Sequence, residues 1–133
     1  MRIFLAATLF LILLAGCRQS QQQAATPQAD VQIGLTVEPT PPHTGDGTLL
    51  VTVTMPDGTP ADVTRVEVRG DMNHAGMQPV FSGADLAEGG VYTIPFNWTM
   101  GGDWFLDVSV QLADGSTATR RFDVTVESSD ATH

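Results

Sequence analysis

From Val31 onward, apolar residues fall on alternate positions in one run after another. Val31, Ile33, Leu35 and Val37 alternate with polar or small residues, and Leu49, Val51, Val53 and Met55 repeat the pattern. Thr64, Val66 and Val68 are interleaved with Arg65, Glu67 and Arg69. Tyr92, Ile94, Phe96 and Trp98 form one face of "VYTIPFNW"; Trp104, Leu106, Val108 and Val110 form one face of "WFLDVSV". Ala118, Phe122, Val124 and Val126 close the series, with Arg120 as the exception on that face. In an extended chain successive side chains point to opposite sides, so each run predicts a strand with one buried and one wet face. "PTPPHTGDG", "PDGTP", "EGG", "GGD" and "ADGS" separate the runs and supply the Gly, Pro and Asp that reversals need.

Asp57-Gly58 and Asp114-Gly115 carry hairpin chemistry. Pro95 has no N–H to give a ladder, so its strand is predicted at a sheet edge or a local bulge. No segment after the first seventeen residues has a helical period. Six or seven short antiparallel strands predict an all-β, immunoglobulin-like sandwich, with the tryptophans and Phe96, Phe105 and Phe122 as core bulk.

The first seventeen residues do not fit this pattern. "MRIFLAATLFLILLAGC" has one positive charge at Arg2, then an apolar run from Ile3 to Ala15 that is short for a permanent span. Its end, Leu14-Ala15-Gly16-Cys17, resembles a bacterial lipobox, which implies cleavage before Cys17 and lipidation of its sulfur. Residues 1–16 are then a lipoprotein signal peptide. Residues 17–30 are a lipidated tether, too poor in apolar bulk to offset the entropy of ordering. Residues 31–127 form the sandwich domain and 128–133 a disordered tail. The protein is expected outside the cytoplasm, on the periplasmic face of the cell envelope, attached to the membrane through lipid alone. Arg18, where inner-membrane lipoproteins usually carry aspartate, favours the outer membrane in a Gram-negative host.

Charge narrows the partners. The chain has six Lys+Arg, all arginine, against fifteen Asp+Glu, for a net charge of −9. Loss of Arg2 with the signal leaves five against fifteen, or −10. Such a surface repels nucleic acid and anionic headgroups. With three histidines, one cysteine that carries lipid, and no serine or carboxylate pair at a recognisable catalytic spacing, the chain is not expected to be an enzyme.

The chemistry concentrates in "DMNHAGM", residues 71–77. If the strand through Val68 continues, Met72 and His74 point to one side, and Gly76 lets the chain turn so that Met77 folds back. Two thioethers and an imidazole suit Cu(I) better than zinc, which favours thiolate, carboxylate or more histidine, or calcium and magnesium, which take oxygen. Met100, in the turn "WTMGGDW", is a fourth candidate ligand if that turn lies at the same end of the sandwich. Asp71 is read as stabilising the turn. His43, in a proline-rich loop, and His133, the last residue, are read as bystanders.

With "MNHAGM" following a strand, and "GGVYTIPFNWTMGGDWFLDVSV" after it, residues 31 to about 127 resemble the YtkA-like domain, related in pattern to FixH proteins. The resemblance implies an immunoglobulin-like sandwich outside the cytoplasm, linked to copper handling or copper-oxidase assembly. FixH proteins carry a membrane-anchor helix where this chain has a lipobox. Two functions stay open at this point. One is a lipid-anchored copper-binding protein holding Cu(I) through Met72, His74, Met77 and Met100 for buffering, delivery or assembly of an envelope copper protein or oxidase. The other is a metal-free module that docks on another envelope protein.

Overall fold

The computed structural model describes residues 28–85, 87 and 90–129. The signal peptide, Cys17, most of the tether and His133 lie outside the described residues. Seven strands are described: β1 (Gln32–Glu38), β2 (Gly45–Thr54), β3 (Val63–Met72), β4 (Val80–Ala84), β5 (Val91–Trp98), β6 (Gly102–Leu112) and β7 (Thr117–Val126). They form two antiparallel sheets, β1-β2-β5 and β4-β3-β6-β7. The fold is an immunoglobulin-like β-sandwich.

The alternating apolar positions do the packing. Leu49, Val51 and Val53 from β2 and Ile94, Phe96 and Trp98 from β5 face Val66, Val68, Trp104, Leu106, Val108 and Val110 from the second sheet, all buried. Pro95 lies exposed on β5, an edge strand of its sheet, where its missing N–H costs no ladder bond. Gly70, in mid-β3, sits where a side chain would collide with the Phe96 ring, so the glycine lets the aromatic cross the core.

Three local expectations are corrected. A bulge between Val63 and Arg65 shifts the register of β3, so Val63 packs against the core and Thr64 is exposed, its hydroxyl donating to the Gln111 carbonyl at 3.1 Å. The Asp57-Gly58 turn forms, closed by Met55 N–H on the Thr59 carbonyl at 2.7 Å. It joins strands of different sheets, so the hairpin across it is short, ending with Thr54 opposite Pro60 and Ala61 N–H on the Val53 carbonyl at 3.1 Å, whereas Asp114-Gly115 joins the fully paired strands β6 and β7. "TGDG" supplies the start of β2 as well as the reversal: Gly45, Asp46 and Gly47 pair with Trp98, Asn97 and Phe96.

Ordered contacts also reach past the expected domain limits. Ala29 N–H donates to the Thr117 carbonyl at 2.7 Å, and Gln28 bridges the same residue. At the other terminus, the Ser129 hydroxyl donates to the Thr44 carbonyl at 3.1 Å.

Candidate functional site

Strand direction decides what gathers at each end of the sandwich. β3 ends opposite the start of β6 (Met72 with Trp104), β5 ends opposite the start of β2 (Trp98 with Gly45), and β7 ends opposite Gly102. The loop 39–44, the loop 73–79, the turn 99–101 and the segment 127–129 therefore share one end. His43, Met72, His74, Met77 and Met100 all lie there. Met55 is the only described methionine placed at the opposite end. The condition set for Met100, a turn at the same end as "DMNHAGM", is met.

Contacts bind these segments into a series. Glu127 N–H donates to the Pro42 carbonyl and Thr44 N–H to the Glu127 carbonyl, both at 2.9 Å, and His43 Nδ1 stands 3.4 Å from Glu127 Oε2. Ser128 packs against Gly101, leaving no room there for a side chain. Next to Gly101, Gly102 adopts φ +127°, and a Cβ on it would lie 2.8 Å from the Met72 methyl. Only glycine fits easily, both for its φ and for the space it leaves over the thioether. The indole N–H of Trp104 donates to the Met100 carbonyl at 2.9 Å and fastens the turn from below.

The four methionine and histidine candidates sit at graded depths. Met72 is the last residue of β3 and only 4% exposed, continuing the inward row of Val66, Val68 and Gly70. Beside it lies an aromatic floor, with the rings of Trp98 and Trp104 5.4 Å apart and edge-on, and Phe96 4.7 Å from Trp98. Met77 is half-buried against this core. His74 is exposed, and Met100 is 48% exposed. The expectation that Met72 and His74 share one side of a continuing strand is not met. β3 stops at Met72, and residues 75–76 turn, with Gly76 at φ +82°. The turn brings Met77 back so that its N–H meets the His74 carbonyl at 3.5 Å. Met72 is thus a core residue as well as a candidate ligand.

Asp71 is committed within β3 rather than to the turn. Its Oδ1 accepts from Met72 N–H at 2.9 Å, and its Oδ2 pairs with Arg69 at 2.7 Å. Among the described residues no three His, Cys, Asp or Glu side chains converge on a point that would hold a metal. The soft donors brought to this end are thioether and imidazole.

The YtkA-like family model matches residues 26–109, more than half of the chain. The chain belongs to the YtkA-like family. The match stops inside β6, so β7 and the segment 127–129, which meet loop 39–44 in a seam, lie beyond it. No curated protein matches this YtkA-like chain. Among solved structures it is similar to the PmoD soluble domain from Methylocystis sp. ATCC 49242 (Rockwell), with 16% identity and a TM-score of 0.51 over 76% of this chain and 95% of that one. It is also similar to a superoxide reductase (neelaredoxin) from Ignicoccus hospitalis, with 12% identity and a TM-score of 0.47 over 77% of this chain and 83% of that one. Murine CRIg gives 11% identity and a TM-score of 0.41 over 73% and 98%. At these identities the likenesses are of fold.

Two features of the YtkA-like domain's site escape sequence reading. His43 is set aside as a loop residue, yet the pairing of Gly45 with Trp98 carries it to the methionine end. Gly102 reads as turn chemistry, and its second role, clearing space over Met72, depends on a cross-strand neighbour thirty positions earlier.

Proposed function

We propose that this YtkA-like protein is a lipoprotein, anchored through Cys17 outside the cytoplasm, that binds copper as Cu(I). Met72, Met77, His74 and Met100 are the ligands. The observation that carries the reading is topological: the β3–β4 loop and the β5–β6 turn bring three of the four described methionines, and a histidine, to one end. The donor set fits the ion. Thioether sulfur is soft and neutral, needs no deprotonation to bind, and resists the oxidation to disulfide that a thiol would meet outside the cytoplasm. The glycine at 102 leaves the Met72 thioether clear on its turn-facing side. The resemblance to a family linked to copper supports the same choice of metal, and the reading assigns no catalytic residue.

The test is an anaerobic titration of the full chain in detergent with Cu(I), against the chromogenic chelator bicinchoninate. One equivalent is expected to be withheld from the chelator, and the H74A/M77A variant is expected to release it. Quenching of Trp98 and Trp104 fluorescence on binding would place the ion at this end. Failure of the wild-type chain to compete with the chelator overturns the reading. The burial of Met72 and Met77 favours a second reading in that event, in which both methionines are structural and the loops dock on another envelope protein.

A further inference from the structure

The graded depth of the four donors has a chemical consequence of its own, which rests on the copper reading above. Met72 is 4% exposed and held at the end of a strand in the middle of its sheet. Met77 is half-buried. His74 and Met100 face solvent, on separate segments, and Met100 is 48% exposed. We infer that the site is built for handing copper on: Met72 is a fixed anchor, and Met100 and His74 are the ligands that an acceptor displaces. A store would bury its donors alike. Here one side of the ion's shell is presented to whatever docks on loops 39–44, 73–79 and 99–101.

The exchange balances without redox or proton transfer. A donor pair on the acceptor's soft-ligand site forms its bond to Cu(I) as the bond to the Met100 sulfur breaks. The ion remains Cu(I), and a neutral thioether leaves. His74 and then Met77 are displaced in turn, and the Met72 bond breaks last, when the acceptor's own shell is complete. The acceptor is therefore a protein with thioether, imidazole or thiolate donors near its surface. The turn that carries Met100 is held from below by the Trp104 indole and from the side by Ser128, so the exposed donor is presented from a fixed frame.

The experiment is stopped-flow transfer of Cu(I) from the loaded full chain to bicinchoninate at increasing chelator concentrations. The transfer rate is expected to rise in proportion to chelator, as displacement at an open face requires. The M100L variant is expected to transfer roughly tenfold faster with little loss of affinity, and M72L to lose affinity by roughly 100-fold. M55L, at the far end, should change neither quantity. A rate independent of chelator concentration means that copper must leave before it is captured, and this overturns the hand-over inference while leaving copper binding intact. Equal effects of M100L and M72L on both quantities overturn it as well. A wild-type chain that withholds no copper at all removes both readings.

Discussion

At the residue scale, two tryptophans that look alike in the sequence do different jobs. The Trp104 indole N–H is satisfied by the Met100 carbonyl, whereas the Trp98 Nε1 is buried with no hydrogen-bond partner among the described residues, against Gly47. A buried unpaired donor costs about 1–3 kcal/mol, and its removal offsets part of the volume lost on shortening the ring. Urea denaturation is therefore expected to show W98F as the milder of the two changes. W104F loses packing and also the bond that fastens the turn. Met72 calls for a similar distinction. Truncation to alanine should cost about 2–5 kcal/mol as a core cavity, while leucine should cost less than about 1.5 kcal/mol. H74A, on an exposed loop, should fall within about 0.5 kcal/mol of wild type. A value for M72A near that of H74A would mean that Met72 is not part of the core.

At the scale of elements, the strands with long alternation were legible, because period two survives any packing in which one face is buried. β4 was not. In "VFSGA" the inward positions are Val80, Ser82 and Ala84, while Phe81 points out at 70% exposure, so the pattern has no apolar face to detect. The Met/His constellation was legible as composition, but its geometry was not. Whether His74 continues the strand depends on where β3 stops, and "DMNHAGM" carries no signal for that beyond Gly76. Arg120, the break in the β7 pattern, is explained by its neighbours. Its guanidinium donates to the Ile33 carbonyl on β1 at 2.9 Å and lies over the Phe122 ring at 4.9 Å. A charged side chain at the open edge of a sheet disfavours pairing with a further strand. With the bridges from Gln28 to Thr117 and from His43 to Glu127, it closes the seam between β1 and β7 at three heights. The R120A variant is expected to exchange the amide hydrogens of β1 faster than wild type while β2 and β6 stay protected, as hydrogen-exchange mass spectrometry would show. Unchanged protection in β1 would mean that the two bridges suffice.

At the scale of the whole molecule, acids outnumber bases fifteen to six, and the arginines of one face pair locally with some of them. On the outer face of the four-stranded sheet, Arg65 pairs with Glu67, Arg69 with Asp71, and Arg121 with Asp107 through both carboxylate oxygens at 2.7 and 2.8 Å. The Arg121 hydrogen bonds hold the Asp107 carboxyl below its ordinary value. Those from Thr59 and Ser116 do the same for Asp57 and Asp114. The native state thus binds fewer protons than the unfolded chain in acid. The stabilisation is present above the ordinary carboxylate value and is lost as pH falls through the depressed one. Melting temperature is expected to drop as pH falls below the ordinary carboxylate range, and D107N should flatten that slope. An unchanged slope in D107N would place the acid sensitivity in the turns of Asp57 and Asp114. The path of the chain has a further consequence, this one for reach. Gln28 meets Thr117 beside the β6–β7 hairpin, the end opposite the methionines, and β1 runs from there toward them. With a lipid on Cys17, the ten residues 18–27 can extend at most about 35 Å, and a ten-residue strand adds about 33 Å of domain height. The attachment point of the tether and the methionine loops would then lie at opposite ends of the domain. The tether would leave the domain without crossing the methionine loops, and a docking protein could reach those loops unobstructed by the chain's own attachment.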